Sequence, residues 1–248
     1  MPRIGTRKLY HMLTDTLQEH RIKIGRDKLF DLLEEYAMLV RRRKRRKVST
    51  TDSNHPFRKY PNLVRAFQAI GPNELWISDI TYIRIGDGFG YLSLITDAYS
   101  RRIVGYCLYP TLQKEGPVAA LKMALSTLPA AAGSLIHHSD RGLQYCCEAY
   151  VNALTEKKVI ISMTEKGDPY ENALAERMNK TLKEEFLLGD GFDCFELASA
   201  SVSKAVNTYN TLRPHASCNH MTPDAAHQQQ GPIQMKWKRR KREESIIE

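Results

Sequence analysis

The first forty residues contain two stretches in which apolar side chains recur every three or four positions, which predicts two amphipathic helices. Gly25 lies in the polar break between them. Two short helices joined by a turn, with basic residues around it, predict a helix-turn-helix-like unit, and an ordinary helical hairpin explains the pattern equally well. The apolar positions are Leu9, Leu13 and Leu17, then Leu29, Leu32, Leu33 and Tyr36.

Beyond a polar stretch that ends at Pro56, the hydrophobic pattern changes to that of strands. Three runs of β-branched and aromatic residues, at 76–83, 91–96 and 102–108, are separated by short turns and predict an antiparallel meander. Alternating helices and strands follow at about 116–128, 135–138, 148–158, 159–163 and 172–188. The order βββαβαβα predicts an α/β protein with a mixed sheet flanked by helices, and by analogy the RNase H-like fold.

The composition excludes several classes of protein. Of 248 residues, 42% are hydrophobic and 26% are charged, which is typical of a globular chain and not of a disordered or collagen-like one. The apolar runs are shorter than the roughly 18 residues of a membrane span, and no secretory leader is recognisable. Five cysteines without a Cys-x-x-Cys pair favour reduced thiols over disulfides or zinc. We therefore expect a cytoplasmic protein without a membrane partner.

The positive charge is concentrated at the two ends of the chain. Residues 1–50 contain 14 Lys and Arg against 6 Asp and Glu, and residues 233–248 contain 6 against 3, whereas residues 51–232 contain 17 against 19. This division predicts a helical DNA-binding region with a basic linker at 1–48, a nearly neutral α/β core at 60–230 and a basic tail at 231–248.

Seven consecutive cations in the linker indicate a polyanionic partner, with DNA phosphates as the first candidate and an idle solvated linker as the alternative. They are Arg41, Arg42, Arg43, Lys44, Arg45, Arg46 and Lys47.

Three carboxylates stand out as candidate catalytic residues. Asp79 interrupts an otherwise apolar strand, Asp140 ends another strand, and Glu176 lies on the last predicted helix. Sites in such sheets collect beyond the carboxyl ends of parallel strands, and hard oxygen ligands suit Mg²⁺ or Mn²⁺. Two ions held there would favour in-line phosphoryl transfer. Glu176, Lys180 and Lys183 share one helical face, so the lysines are candidate contacts to the DNA backbone.

Other polar residues are assigned structural roles. Asp97 is expected to end a strand before a turn, and Glu171, Glu184 and Glu185 are expected on solvated helix faces. His137 and His138 are adjacent in a strand and point to opposite faces, so they are not expected to share a metal ion. Cys146 and Cys147 are expected to be packing residues.

At these residues the sequence resembles the bacterial insertion-sequence transposases that share a catalytic core with retroviral integrases. Three segments, at 76–83, 138–145 and 167–177, are similar to the family's catalytic blocks, and 35 residues separate Asp140 from Glu176, as is usual in the family. The segment 209–215, followed by Thr222 and Pro223, is similar to its C-terminal signature. The sequence departs slightly from the family at 216–218.

The resemblance implies a core in which Asp79, Asp140 and Glu176 hold Mg²⁺ or Mn²⁺. It implies cleavage of DNA strands at the ends of a mobile element, and joining of a 3′ hydroxyl to target DNA without a covalent protein intermediate. Lys180 and Lys183 match basic positions that contact DNA in such cores. It also implies a homo-oligomer on DNA and an association with the bacterial nucleoid.

The start of the chain, close to the helical hairpin, suggests the second-frame protein of a frameshift-type element with an upstream-frame partner. Two alternatives stay open at this point: an RNase H-like nuclease that cuts without joining, and a DNA-binding relic without catalysis. The role of Arg213, Pro214 and His215 is not predicted.

Overall fold

The computed structural model describes residues 1–40, 56–65, 67–129, 133–165 and 173–233. Its strands are β1 (Leu75–Ile85), β2 (Gly88–Asp97), β3 (Ile103–Tyr109), β4 (Ile136–Ser139) and β5 (Ile160–Met163). Its helices are α1 (Thr6–Met12), α2 (Thr14–Glu19), α3 (Arg26–Glu35), α4 (Glu115–Ser126), α5 (Leu143–Cys146), α6 (Glu148–Glu156), α7 (Ala173–Glu185), α8 (Phe195–Leu212) and α9 (Pro223–His227), with a short 3-10 helix at Ala216–Cys218.

The five strands form one mixed sheet in the order β3-β2-β1-β4-β5. β1 pairs antiparallel with β2, and β2 pairs antiparallel with β3, so the predicted meander is confirmed. β4 pairs parallel with β1 and with β5. Helices precede both β4 and β5 in the chain, and such helical connections allow parallel pairing. The predicted α/β class and the order βββαβαβα up to α7 are therefore confirmed.

Helices cover both faces of the sheet. On one face, Trp76 and Ile95 pack with residues of α4, α5 and α6 in an apolar cluster. On the other face, Ile83 and Leu92 pack with residues of α7 and α8. Trp76 and Leu92 have no exposed surface. Burying apolar side chains on both faces gives the three-layer arrangement expected for a sheet with parallel strands.

The N-terminal region differs in detail from its prediction. The first amphipathic stretch divides at Leu13 into α1 and α2, and Gly25 precedes α3 as its N-cap residue. None of the residues of α1, α2 and α3 is fully buried. The region touches the rest of the protein where Arg3 N–H donates to the Glu185 carbonyl, and where the rings of His11 and His220 lie 4.7 Å apart.

The long helix α8 was not predicted as an element. Its residues supply Val202, Val206 and Tyr209 to the core, so the C-terminal signature begins inside a helix. Asn210 at its end receives a hydrogen bond from the Ile103 backbone N–H and donates one to the Ile103 carbonyl. The Asn210 amide thus satisfies both backbone hydrogen-bonding groups of Ile103, the first residue of β3. None of the helices in the described ranges is both long and apolar enough for a bilayer span.

At Gly105 of β3 the sheet approaches α4 closely. A Cβ added there would overlap the Ala120 carbonyl oxygen and lie 2.9 Å from the Ala124 Cβ. Ala120 and Ala124 are themselves fully buried small residues. The absence of a side chain at Gly105 therefore lets α4 lie directly on β3.

We predict that Gly105→Ala destabilises the protein by about 1–3 kcal/mol, because α4 must move away from the sheet to accommodate a methyl group. Urea unfolding followed by circular dichroism measures the change. Gly133→Ala is the matched control, since nothing lies within 4 Å of a Cβ there. Equal stability of the two variants would contradict the close contact.

Candidate active site

Asp79 and Asp140 are brought together by the pairing of β1 with β4. The parallel register aligns Trp76 with His137 and Ile77 with His138. Continued by two residues, the same register places Asp140 beside Asp79. Asp140 follows the last residue of β4, so it lies at the carboxyl end of a parallel strand, where sites collect in such sheets. Both aspartates are half-buried.

Glu176 reaches the same region from the first turn of α7. Ala175, the residue before it, is buried in a small apolar cluster with Ile77 of β1 and Ile136 of β4. This contact fixes the start of α7 over the two strands that carry the aspartates. Glu176 itself is exposed. Three carboxylates that are distant in the chain therefore approach one edge of the sheet.

The electrostatics of Asp79 follow from this arrangement. Burial, the negative charge of Asp140 and, less strongly, that of Glu176 raise the pKa of the Asp79 carboxyl to about 7. A hydrogen bond from the backbone N–H of Ile80 and the charge of Lys183 act in the opposite direction. The carboxylates repel one another, and a bound cation would relieve that repulsion.

Asn179 is a site residue that the sequence interpretation missed. Its Nδ2 donates a 2.6 Å hydrogen bond to Asp79 Oδ2, and its side chain is almost completely buried between α7 and the sheet. Asn179 Oδ1 is buried without a hydrogen-bond partner among the described residues. The available signal was its position three residues after Glu176, which puts both on one side of α7.

The two lysines of α7 lie along the same helix. Lys183 Nζ lies 4.5 Å from the centre of the Tyr82 ring, and its charge lowers the pKa of Asp79. Lys180 is exposed, with its Nζ 4.0 Å from Glu184 Oε1. The lysines thus continue the face of α7 that begins with Glu176.

The turn after Asp140 is held by its own side chain. Gly142 N–H donates to Asp140 Oδ1 at 2.9 Å, and a Cβ at Gly142 would lie 3.0 Å from the same oxygen. Glycine therefore lets the backbone close tightly against the carboxylate. α5 begins directly after this turn.

The donor atoms at this edge are of the right kind for a divalent cation. Asp79, Asp140 and Glu176 offer hard carboxylate oxygens, the ligands that Mg²⁺ and Mn²⁺ take from proteins. In the part of the chain that the structure describes, no three His, Cys, Asp or Glu side chains already form a ready-made metal cluster. The chemistry of these donors fits a divalent cation, and a cation would offset the burial and the negative charges of Asp140 and Glu176 that raise the pKa of Asp79.

Comparison with known proteins identifies the family. Models of the integrase core domain match residues 70–169 and 157–223. The uncharacterized 31 kDa protein of insertion element IS600 from Shigella sonnei is 36% identical over 226 residues, which cover 90% of this chain and 82% of that protein. The chain belongs to the insertion-sequence transposases with an integrase core domain. The resemblance seen in the sequence is thereby confirmed.

Another relative of the transposase is InsF of insertion sequence IS3A from Escherichia coli strain K12. It is 34% identical over 163 residues, which cover 65% of this chain and 56% of InsF. The alignment therefore spans little more than half of InsF.

The fold of the transposase is that of retroviral integrase cores. The HTLV-2 integrase catalytic core domain in complex with magnesium superposes with a TM-score of 0.51 and 21% identity, covering 64% of this chain and 99% of that one. A chain of the simian T-cell lymphotropic virus intasome gives a TM-score of 0.56 and 19% identity, covering 93% of this chain and 77% of that one. The predicted RNase H-like fold is confirmed.

Several residues that the sequence assigns to structural roles are buried in the protein. Asp97 ends β2, is fully buried, and accepts hydrogen bonds from the backbone N–H groups of Asn73 and Ser100 and from the Ser100 hydroxyl. His137 and His138 are both buried and contact different partners, Tyr150 and Ser162. Cys146 and Cys147 are buried free thiols. Glu171 and the seven cations from Arg41 to Lys47 lie outside the described residues.

The prediction that Glu185 is a solvated helix residue is wrong. The Arg213 guanidinium donates to both of its oxygens, at 2.7 and 2.9 Å, and Lys8 Nζ also binds the carboxylate. Arg213 is 4% exposed and stacks over the Tyr209 ring. The conformation at the end of α8, which sequence periodicity does not reveal, brings these charges together. Glu185 thus ties α7 to the C-terminal signature through Arg213 and to the N-terminal region through Lys8.

We predict that Glu185→Gln destabilises the transposase at neutral pH by on the order of 3 kcal/mol, because Arg213 and Lys8 lose their shared anion. The ion pairs hold the pKa of Glu185 below its usual 4.5, although burial opposes them. The contribution is therefore present above about pH 4.5 and disappears as the pH falls through the lowered folded-state pKa.

Urea unfolding at several pH values measures this difference. Glu184→Gln, which removes a partly exposed carboxylate from a 4.0 Å pair, is the control and should change stability by less than about 0.5 kcal/mol. A Glu185→Gln penalty that stays constant down to pH 3 would contradict the assigned ion pairs.

Proposed function

We propose that this transposase cuts DNA strands at the ends of a mobile element and joins them to target DNA, using Asp79, Asp140 and Glu176 as its metal-binding catalytic residues. The observation that supports the proposal is that Asp79, in the middle of β1, lies beside Asp140 at the carboxyl end of β4 and within electrostatic reach of Glu176, in a chain of the integrase-core family. The magnesium complex of the HTLV-2 core supports Mg²⁺ or Mn²⁺ as the cofactor.

The reaction is a direct transesterification. The oxygen of a 3′ hydroxyl at the element end forms a new bond to a target phosphorus, and the bond from that phosphorus to the target's 3′ oxygen breaks. The proton of the attacking hydroxyl is lost to solvent, and the departing oxygen becomes a new 3′ hydroxyl. Bound divalent ions supply activation of the attacking oxygen and charge stabilisation of the leaving one.

The chain's own residues orient the components of this reaction. Asn179 holds the Asp79 carboxylate by a hydrogen bond, and the Gly142 N–H holds that of Asp140. Lys180 and Lys183 present ammonium groups along α7 beyond Glu176, where they would contact DNA phosphates. No protein nucleophile is required, because the attacking group belongs to the DNA.

The proposal extends to partners beyond the catalytic core. A structural neighbour belongs to an intasome, which supports action as a homo-oligomer on element ends and target DNA. We propose further that residues 1–48 and the basic tail bind DNA near the bacterial nucleoid, and that an upstream-frame protein takes part in recognising the element ends.

We predict that Asp140→Asn abolishes strand transfer and leaves DNA binding within about twofold, because the substitution removes a metal ligand without changing the shape of the turn. Incubation of labelled element ends with target DNA and Mn²⁺ measures joined products, and a gel shift measures binding. Asp87→Asn, an equivalent change in the exposed β1–β2 turn, is the matched control and should retain activity.

The same assay separates the proposal from its alternatives. Joined products from the unaltered protein support a transposase, nicks alone support an RNase H-like nuclease, and binding without cleavage supports a DNA-binding relic. Strand transfer by Asp140→Asn at the normal rate would contradict the assigned role of Asp140.

We predict that replacing the seven cations from Arg41 to Lys47 with glutamine weakens DNA binding and flattens its salt dependence. The slope of log K against log salt should fall by roughly 0.9 for each phosphate contact that is lost. Fluorescence anisotropy between 50 and 200 mM salt measures the slope.

Replacing Lys122, Lys157 and Lys204 with glutamine controls for net charge, because these exposed lysines lie outside the proposed DNA-binding regions, and it should leave the slope unchanged. An unchanged slope after the linker replacement would show that the linker does not contact DNA.

A further inference from the structure

Three buried polar side chains meet on the side of the sheet opposite the carboxylates. Ser78 of β1, His137 of β4 and Tyr150 of α6 come from three different elements. His137 Nε2 lies 2.6 Å from Ser78 Oγ and 2.9 Å from Tyr150 Oη, and the two hydroxyl oxygens are 3.5 Å apart. We call this group the Ser78–His137–Tyr150 network.

The network lies in apolar surroundings. Each of its three residues is at most 1% exposed, and the Tyr145 and Tyr150 rings pack edge to face at 5.3 Å. Burial lowers the pKa of His137 to about 3, so its imidazole is neutral. Buried polar groups in a low-dielectric interior are costly unless they satisfy one another, so each member depends on the other two. Truncation of one member therefore affects the position of the others.

The location of the network links it to the catalytic carboxylates. Ser78 immediately precedes Asp79, and neighbouring side chains of a strand point to opposite faces, so the network lies directly behind Asp79. His137 is on β4, three residues before Asp140. The hydrogen bond between Ser78 and His137 therefore connects β1 and β4, the two strands that position the aspartates, and the contact of His137 with Tyr150 joins them to α6.

The hydrogen bond between Ser78 and His137 opposes the electrostatic repulsion between Asp79 and Asp140. Asp79 and Asp140 lie side by side just beyond the last paired residues of β1 and β4, and their repulsion when both are ionised favours separation of the two strands there. The ladder between β1 and β4 is short, because it consists of three residue pairs that run from Leu75 and Ile136 to Ile77 and His138. A cross-strand side-chain bond close to its end adds resistance where the repulsion acts.

We propose that Ser78, His137 and Tyr150 are positioning residues, which hold Asp79 and Asp140 at the separation that a divalent cation requires. The proposal rests on the proposed function, because it concerns the same site and its metal. It adds a device on the far side of the sheet that touches neither metal nor DNA. Partners that hydrogen-bond metal ligands directly change metal affinity by about 10- to 100-fold when they are removed, and we expect the lower end of that range for a network that acts through the strand backbone.

The test compares two variants that each delete one hydroxyl from the full-length chain. Tyr150→Phe removes the phenol oxygen and keeps the ring, and Ser78→Ala removes the oxygen that forms the shortest bond. Mn²⁺ binding is measured by electron paramagnetic resonance, well below the unfolding temperature. The Mg²⁺ concentration for half-maximal strand transfer is measured in parallel. We expect both variants to bind Mn²⁺ about tenfold more weakly, with DNA affinity within twofold of the unaltered protein.

Two control variants separate positioning from general stability. Tyr106→Phe deletes an equivalent hydroxyl, which contacts Ser203 at 3.1 Å on the far edge of the sheet. Val202→Ala truncates a buried residue of α8 and lowers the unfolding temperature without touching the network. Both controls should bind Mn²⁺ with unchanged affinity.

A pair of substitutions at His137 provides the rescue experiment. His137→Gln keeps a polar amide near the position of Nε2, whereas His137→Leu removes it. We expect His137→Gln to bind Mn²⁺ more tightly than His137→Leu.

The outcomes distinguish this proposal from the proposed function. If the unaltered protein neither binds Mn²⁺ nor joins strands, the proposed function fails. A second outcome is that the unaltered protein does both, while Tyr150→Phe and Ser78→Ala unfold at a lower temperature but bind Mn²⁺ with normal affinity. In that case the network is structural only, and the positioning proposal is overturned. Weaker Mn²⁺ binding in these variants, with normal binding in both controls, supports it.

Discussion

The parallel pairing of β1 with β4 is the constraint on which the rest of the transposase depends. It places Asp79 and Asp140 beside each other, although 60 residues separate them in the chain. Ionising both is costly in the absence of a cation, because burial and then the like charge of Asp140 raise the pKa of Asp79. The surrounding core must therefore hold the two strands together, and the apolar layers on both faces of the sheet do so.

Glu176 depends on a second constraint, the placement of α7. Ala175 fixes the beginning of the helix on the sheet, and Glu185 fixes its end through Arg213 and Lys8. Asn179 contacts Asp79 between these two points. The direction of α7, and with it the position of Glu176, Lys180 and Lys183, is therefore set by contacts spread over the whole helix. This gives the Arg213 of the C-terminal signature a physical role at a distance from the carboxylates.

Strand periodicity was enough to predict the sheet, because β-branched runs and turn residues are local signals. It was also enough to single out Asp79 and Asp140, since a charge within or directly after an apolar strand is conspicuous in the sequence. It did not reveal Asn179 or the pairing of Glu185 with Arg213, because both depend on how helices are oriented over the sheet. α8 was missed as an element although the sequence carries its signal, since Ala198, Val202, Ala205 and Tyr209 recur every three or four positions and are buried.

The two faces of the sheet carry different residues of the candidate site. The face toward α7 carries Asp79 with its contact to Asn179, and the face toward α6 carries Ser78 with its contacts to His137 and Tyr150. Alternation along β1 makes this division unavoidable, since residues 78 and 79 must point in opposite directions. Ser78 can therefore act on Asp79, a proposed catalytic residue, only through the backbone of the strand that they share. Rigid strands transmit such restraint well, so a network without access to metal or DNA can still determine the geometry of both aspartates.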